Sequence, residues 1–331
     1  MAAGGKLSLD KMKAVWLENN VLSFRTDVPI PEPPVGEALV KVSLAGVCAT
    51  DLALAKGYYT FSGIPGHEFV GEIVQAPDQP ERLGERVVGE INVGCGSCGS
   101  CTSGRSSHCE QRTVMGLVDR NGAFAEYLCL PSQNLIRIPD TVGDDAAVFV
   151  EPLAAALEIQ QQIQISSSDC VLVLGAGRLG QLIAQTLVIT GCNLQIAARY
   201  SNQRKLLAAR DINWIDEKAI SKRFYDVVVE ATGSAEGFVL ARSAVRPCGT
   251  IVLKSTYKGH VQVNVSSLAV DEITLVGSRC GPFAPAMDLI EKKLVDPTIL
   301  IEGRYLLDNA LDAFEKAAQP GVLKVVLQMG K

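Results

Sequence analysis

The spacing of apolar and polar positions changes once along this chain, and the change divides it. From Met12 to about Pro139, short β-type runs such as Ala38-Leu-Val-Lys-Val-Ser-Leu, Phe69-Val-Gly-Glu-Ile-Val and Phe124-Ala-Glu-Tyr-Leu-Cys-Leu are broken by Pro and Gly, which predicts a compact β-rich domain. From about Ala146 the period lengthens. A helix to Ile165 leads to the strand Cys170-Val-Leu-Val-Leu, a glycine turn and a helix from Gln181 to Thr190. The alternation continues with strands at Leu194-Gln-Ile-Ala-Ala, Tyr225-Asp-Val-Val-Val-Glu and Gly249-Thr-Ile-Val-Leu-Lys, separated by helices near Gln203 to Arg210 and Ala235 to Val245. Strands alternating with helices predict a doubly wound parallel sheet. After Glu272-Ile-Thr-Leu-Val-Gly-Ser come a helix near Pro285 to Lys293, a helix from Leu311 to Ala318 and a strand from Leu323 to Gln328. This tail is expected to return to the first domain. The division is therefore 12–150, rejoined by 294–331, and 151–293.

Composition narrows the function. With 331 residues, 47% hydrophobic and 20% charged, the chain can bury two cores, and two domains imply a cleft. The net charge of -5 and the lack of a Lys/Arg run argue against a nucleic-acid partner. No apolar stretch approaches the roughly 20 residues that span a bilayer, and no secretory leader is evident, so no membrane partner and a cytoplasmic location are expected. Residues 1–11 read as a polar extension. No fixed-period repeat occurs.

Ten cysteines in such a chain point to metal rather than disulfides. Cys95, Cys98, Cys101 and Cys109 follow the pattern C-x2-C-x2-C-x7-C, and four thiolates close a tetrahedral shell around zinc with no open position. That metal would hold structure. An iron–sulfur cluster and His108 replacing the fourth cysteine are the alternatives. The remaining cysteines outside Cys48 lack ligand spacing and read as small hydrophobes.

Only three histidines occur, and His67 stands in Gly66-His-Glu-Phe-Val-Gly. Cys48 lies upstream in Gly46-Val-Cys-Ala-Thr-Asp-Leu, and Glu68 and Glu151 can supply oxygen. A thiolate, an imidazole and a carboxylate with one position left open are what catalytic zinc requires. Gly175, Gly177 and Gly180, with Ala176, Arg178 and Leu179 between them, form G-x-G-x-x-G between a strand and a helix, which places pyrophosphate at the helix N-terminus.

Taken in order, Gly-Val-Cys-x-Thr-Asp, Gly-His-Glu, the four-cysteine lobe and the glycine turn resemble the zinc-containing medium-chain dehydrogenase/reductase family over nearly the whole chain. The resemblance implies a GroES-like catalytic domain followed by a Rossmann domain. It also implies two zincs per chain, with Cys48 and His67 as catalytic-zinc ligands. The junction reads Val150-Glu-Pro-Leu, as in the polyol and threonine dehydrogenase branch, so Glu151, Glu68 or both complete the shell. Zinc would acidify a substrate hydroxyl, and hydride would pass to the nicotinamide. Thr50 matches the proton-relaying hydroxyl. Asp51 matches the carboxylate that orients the ligating histidine, its plainer reading being a turn cap. Where the best-known alcohol dehydrogenases carry a relay histidine, this chain has Ala53, which leaves the proton exit unassigned.

An NAD-preferring chain carries an acid at the end of the second strand, but here the text is Ala197-Ala-Arg-Tyr-Ser-Asn-Gln-Arg. Arg199, with Arg204 in support and Tyr200 between them, favours NADP over NAD, the alternative being an arginine stacked on adenine. Ala231 and Thr232 resemble the segment under the nicotinamide ribose. The function implied is hydride transfer between NAD(P) and a small-molecule secondary alcohol, polyol or matching carbonyl. The rivals are a non-catalytic zinc-stabilised regulatory protein and a zinc ribbon for nucleic acid. Tyr58, Tyr59 and Phe61 are candidates to line the substrate pocket. The apolar strand Ile273-Thr-Leu-Val-Gly can pair across a two-fold axis, so a homodimer or homotetramer is expected.

Overall fold

The computed structural model describes residues 11–257 and 259–330. The expected polar extension lies outside the described residues, apart from Lys11, which opens the first strand. The chain forms two compact units. One holds the residues up to Phe149 with Ile301–Gln319 and the run from Lys324; the other holds Val150–Leu300 and Pro320–Leu323.

The first unit runs β1 (Lys11–Glu18), β2 (Val21–Pro29), β3 (Glu37–Val47), α1 (Ala49–Ala55), β4 (Glu68–Gln75), β5 (Arg86–Gly89), β6 (Asn92–Val93), α2 (Gly99–Thr102), β7 (Thr113–Met115), β8 (Asp119–Arg120), β9 (Tyr127–Pro131), β10 (Leu135–Arg137) and α3 (Asp144–Ala147). The second runs α4 (Val150–Gln162), β11 (Cys170–Leu174), α5 (Arg178–Val188), β12 (Asn193–Ala197), α6 (Ser201–Ala208), β13 (Trp214–Ile215), β14 (Tyr225–Glu230), α7 (Ala235–Ala244), β15 (Val245–Leu253), α8 (Val265–Val270), β16 (Thr274–Gly277) and α9 (Phe283–Glu291). The tail adds β17 (Ile301–Leu306), α10 (Ala310–Ala317) and β18 (Lys324–Gln328) to the first unit.

Strand β3 organises the first unit. Lys41 and Ser43 point to solvent while Leu39, Val40, Val42 and Leu44 are buried, the alternation expected of a strand with one wet face. The sheet order is β10-β5-β4-β3-β18-β17, with β9 also on β3. β9 takes the first half of β3 and β18 the second, where Val325 faces Val47. On the other edge Gly46 faces Glu68. These two registers bring Glu68 and Lys324 to the end of β3 that runs into Cys48.

In the second unit six parallel strands take the order β13-β12-β11-β14-β15-β16. Val171, Leu172, Val173 and Leu174 of β11 are at most 1% exposed, as expected for a central parallel strand covered on both faces. The order reverses between β11 and β14, and ligands bind such sheets at the carboxyl ends of the strands flanking that point.

Several expected elements differ in their bounds, and three have a clear local cause. The single helix from Ala146 to Ile165 is two, α3 and α4, with the break at Val148 and Phe149. Pro152 explains it, because proline suits the first turn of α4 but clashes with a carbonyl one turn earlier in a continuous helix. Helix α5 begins at Arg178 rather than Gln181, since Gly177 already serves as its N-cap. Strand β15 starts at Val245, four residues ahead of Gly249, directly out of α7.

Candidate active site

Cys48 caps α1 immediately after β3. The Asp51 carboxylate bends back, and its Oδ2 accepts the Cys48 backbone N–H at 2.8 Å. Its other oxygen lies 3.3 Å from Nδ1 of His67. Asp51 therefore makes the cap bond and stands beside His67 as a charged neighbour, without a hydrogen bond between the two atoms. With Nδ1 turned to a carboxylate, Nε2 is the nitrogen left to bind a metal. Thr50 Oγ1 lies 3.7 Å from the Cys48 sulfur.

Glu68 follows His67 and is fully buried. A side chain at Gly46 would place its Cβ 2.2 Å from Glu68 Oε2, so glycine there makes room for the carboxylate. Oε2 accepts a hydrogen bond from Nζ of Lys324, itself 1% exposed and 5.4 Å over the Phe149 ring. Oε1 is buried without a hydrogen-bond partner. An orphaned buried acceptor costs about 1–3 kcal/mol unless something else satisfies it. One donor atom each from Cys48, His67 and Glu68 lies within 4.8 Å of the others. Thiolate, imidazole and carboxylate match the donor set of catalytic zinc, so the residues fit the metal. Burial works against a charge on His67, but the Asp51 carboxylate and the Cys48 thiolate outweigh it and hold its pKa well above the usual value.

Lys324 escaped the sequence reading, although a signal existed. A lysine inside the apolar run Leu323-Lys-Val-Val-Leu-Gln is a charge where a buried strand should have none, and such charges are paired. Glu151 is the second residue of α4 and belongs to the other unit.

Sulfur donors from Cys95, Cys98, Cys101 and Cys109 also lie within 4.8 Å of one another. The Cys98 and Cys109 sulfurs are 3.7 Å apart, and the Cys95 N–H points at the Cys109 sulfur at 3.5 Å. Backbone N–H groups of Ser97 and Cys98 pull the Cys95 thiol down to about 6. Burial, then the neighbouring thiols, push Cys101 up to about 11. Crowded sulfurs resist ionising together until a cation joins them, and four of them in one shell suit structural zinc. The group is complete without His108.

At the glycine turn, Gly175 has φ +96°, and a Cβ there would meet the Ala231 carbonyl at 2.7 Å. A Cβ on Gly180 would sit 1.9 Å from the Gly175 carbonyl oxygen, so α5 rests directly on the turn. A Cβ on Gly177 would meet nothing within 4 Å. That open face ahead of the α5 N-terminus, where backbone N–H groups point outward, fits a pyrophosphate. Ala176 is buried beneath it and Leu179 half-buried, while Nε of Arg178 donates to the Leu323 carbonyl. Ala231 and Thr232 follow β14, the strand beside β11. The buried Glu230 carboxylate accepts both the Thr232 N–H, at 2.8 Å, and its hydroxyl, at 2.5 Å. Arg199 and Arg204 lie beyond β12, and the Tyr200 ring packs on Gly321. Two acids that the sequence reading did not single out face these arginines, Glu217 and Asp216.

The alcohol dehydrogenase GroES-like domain model matches residues 34–140. D-arabinitol dehydrogenase 1 of Uromyces fabae is 31% identical, with 92% of this chain and 93% of its own covered. Among solved structures, RspB of E. coli CFT073, an alcohol dehydrogenase complexed with NADH, is 29% identical at TM-score 0.88, covering 96% of this chain and 99% of its own. A zinc-binding dehydrogenase of Sinorhizobium meliloti 1021 bound to NADP is 30% identical at TM-score 0.87, covering 96% and 99%. The chain belongs to the zinc-containing medium-chain dehydrogenase/reductase family. It is an NAD(P)-dependent oxidoreductase for an alcohol, a polyol or the matching carbonyl, and the non-catalytic reading falls away.

Proposed function

We propose that the substrate is a polyol or related secondary alcohol, oxidised or formed at a zinc held by Cys48, His67 and Glu68. The observation that carries this reading is the buried carboxylate of Glu68, one oxygen fixed by Lys324 and the other without a partner, within 4.8 Å of the Cys48 and His67 donors. The Glu151 carboxylate is the alternative or additional donor. A second zinc, held by Cys95, Cys98, Cys101 and Cys109, keeps the lobe folded.

Zinc, when bound, supplies Lewis acidity that favours loss of the hydroxyl proton and departure of hydride toward the nicotinamide. The protein's own groups do the rest. Thr50 relays the proton, its oxygen accepting the one the substrate hydroxyl releases as its own passes on toward solvent. Asp51 orients the His67 ring by its charge beside Nδ1, and Lys324 holds Glu68. Tyr58 and Tyr59, whose rings meet edge-on at 4.4 Å in the loop after α1, present aromatic surface to a carbon chain together with Phe61.

Arg199, with a 68% exposed side chain, and Arg204 support a preference for NADP over NAD. Strand β16 ends its sheet with Leu275 42% exposed, which supports assembly into a homodimer or homotetramer through that edge. Among the described residues no helix is long and apolar enough to cross a membrane, and we place the enzyme in the cytoplasm. A panel of polyols and secondary alcohols, followed by nicotinamide absorbance with both cofactors, tests the reading. Turnover of a vicinal diol or sugar alcohol is expected, and turnover of none of them with either cofactor would overturn it. Light scattering at micromolar protein tests assembly, a monomer mass being the adverse result.

A further inference from the structure

Both arginines at the adenosine end already hold carboxylates. Nη2 of Arg199 donates to the two oxygens of Glu217 at 3.0 and 3.3 Å. Arg204 lies over the Trp214 ring at 4.6 Å, gives its Nε to the Ala198 carbonyl at 2.9 Å and its Nη2 to Asp216 at 3.0 Å. Asp216 also accepts the Lys218 N–H at 3.1 Å, which caps the turn carrying Glu217. The turn is thus tied to the end of β13, the neighbour of β12, with Glu217 across from Arg199.

A 2′-phosphate and a 2′-hydroxyl ask opposite things of such a pair. A phosphate monoester carries about −1.5 to −2 charge near neutral pH and accepts hydrogen bonds. At Arg199 it competes with Glu217 for Nη2, and wherever on the guanidinium it binds, the neighbouring carboxylate repels it. A ribose hydroxyl can accept from the guanidinium and donate to the carboxylate, with both left in place. The acid that β12 lacks at its end is supplied by the turn after the next strand.

We propose that Glu217 is a specificity-determining residue that holds down affinity for NADP and supports NAD, so that the preference for NADP set by Arg199 is a narrow one. This rests on the reading of Arg199 as the 2′-phosphate partner. The test is the dissociation constant of NADPH and of NADH for the zinc-loaded enzyme, read by nicotinamide fluorescence without turnover, in wild type, Arg199→Ala, Glu217→Gln and Glu217→Lys. Breaking an exposed ion pair of this kind releases up to about fivefold in affinity. Glu217→Gln is expected to tighten NADPH by about that factor with NADH unchanged or weaker, Glu217→Lys to go further, and Arg199→Ala to weaken NADPH. If Arg199→Ala weakens NADPH but neither Glu217 variant changes the NADPH-to-NADH ratio, the role of Glu217 is refuted and that of Arg199 stands. Equal tightening of both cofactors refutes it too. If Arg199→Ala leaves NADPH binding unchanged, both readings fall.

Discussion

Lys324 and Glu68 stand 256 positions apart in the sequence, yet they form an ion pair at one end of β3, each almost without contact with water. Such a pair contributes little by itself, but removing one partner strands the other, at a cost of about 3–5 kcal/mol. Lys324→Met should therefore lower stability by that order in urea unfolding. Zinc would compensate the stranded Glu68, so the loss should be larger after chelation than in the zinc-loaded protein. Equal losses would separate Glu68 from the metal. A Lys324→Met, Glu68→Gln double variant should recover much of the stability.

Glu68 and Glu151 can be told apart by metal retention. If Glu68 is a donor, Glu68→Gln releases catalytic zinc to a chelator faster than wild type, and turnover falls at least about tenfold. A Glu151→Gln variant that alone shows this behaviour would move the third ligand to α4.

Two glycines of the cofactor turn predict opposite phenotypes. Gly180→Ala drives a methyl into the Gly175 carbonyl, 1.9 Å from the Cβ position, and should lower the melting temperature. Gly177→Ala meets no protein atom and has an ordinary φ of −73°, so it should fold normally. Its methyl occupies the open face assigned to pyrophosphate, and NAD(P)H affinity should drop by at least about tenfold. Normal cofactor binding by Gly177→Ala would displace the pyrophosphate from that face.

Lys254 offers a pH test. Its ammonium donates to the carbonyls of Ala155 and Arg279 and to Ser278, at 2.7 to 3.1 Å. Burial is the main influence and lowers its pKa to about 8, despite the nearby Cys280, Glu158 and Glu151, against 10.5 for an ordinary lysine. Between these values the unfolded chain binds more protons than the folded one, so folding stability rises with pH through that window. Wild type should gain stability relative to Lys254→Met from about pH 8 to 10.5 in parallel denaturation curves. Curves that stay parallel would mean Lys254 titrates normally.

Much of this was legible in the sequence because the signals are local. The four-cysteine spacing, the glycine turn and the change of hydrophobic period each sit within a few dozen residues. Cys48 and Asp51 are three apart, a spacing that α1 turns into a cap. What escaped depends on long-range register. Lys324 meets Glu68 only because β18 and β4 both join β3, and nothing near Lys324 names its partner. Glu217 reaches Arg199 only through the pairing of β12 with β13. The break between α3 and α4 was a local signal, with Pro152 visible in the sequence, that the apolar periodicity masked.

The most direct test of the account is zinc content per chain by elemental analysis, in wild type, Cys48→Ala and Cys101→Ser. Two sites of these donor types predict about two zincs in wild type and about one in Cys48→Ala, which should keep its fold but lose turnover. Cys101→Ser should also retain about one and lose stability. A wild-type content of one zinc, unchanged by Cys48→Ala and abolished by Cys101→Ser, would contradict a zinc-assisted reaction at Cys48, His67 and Glu68.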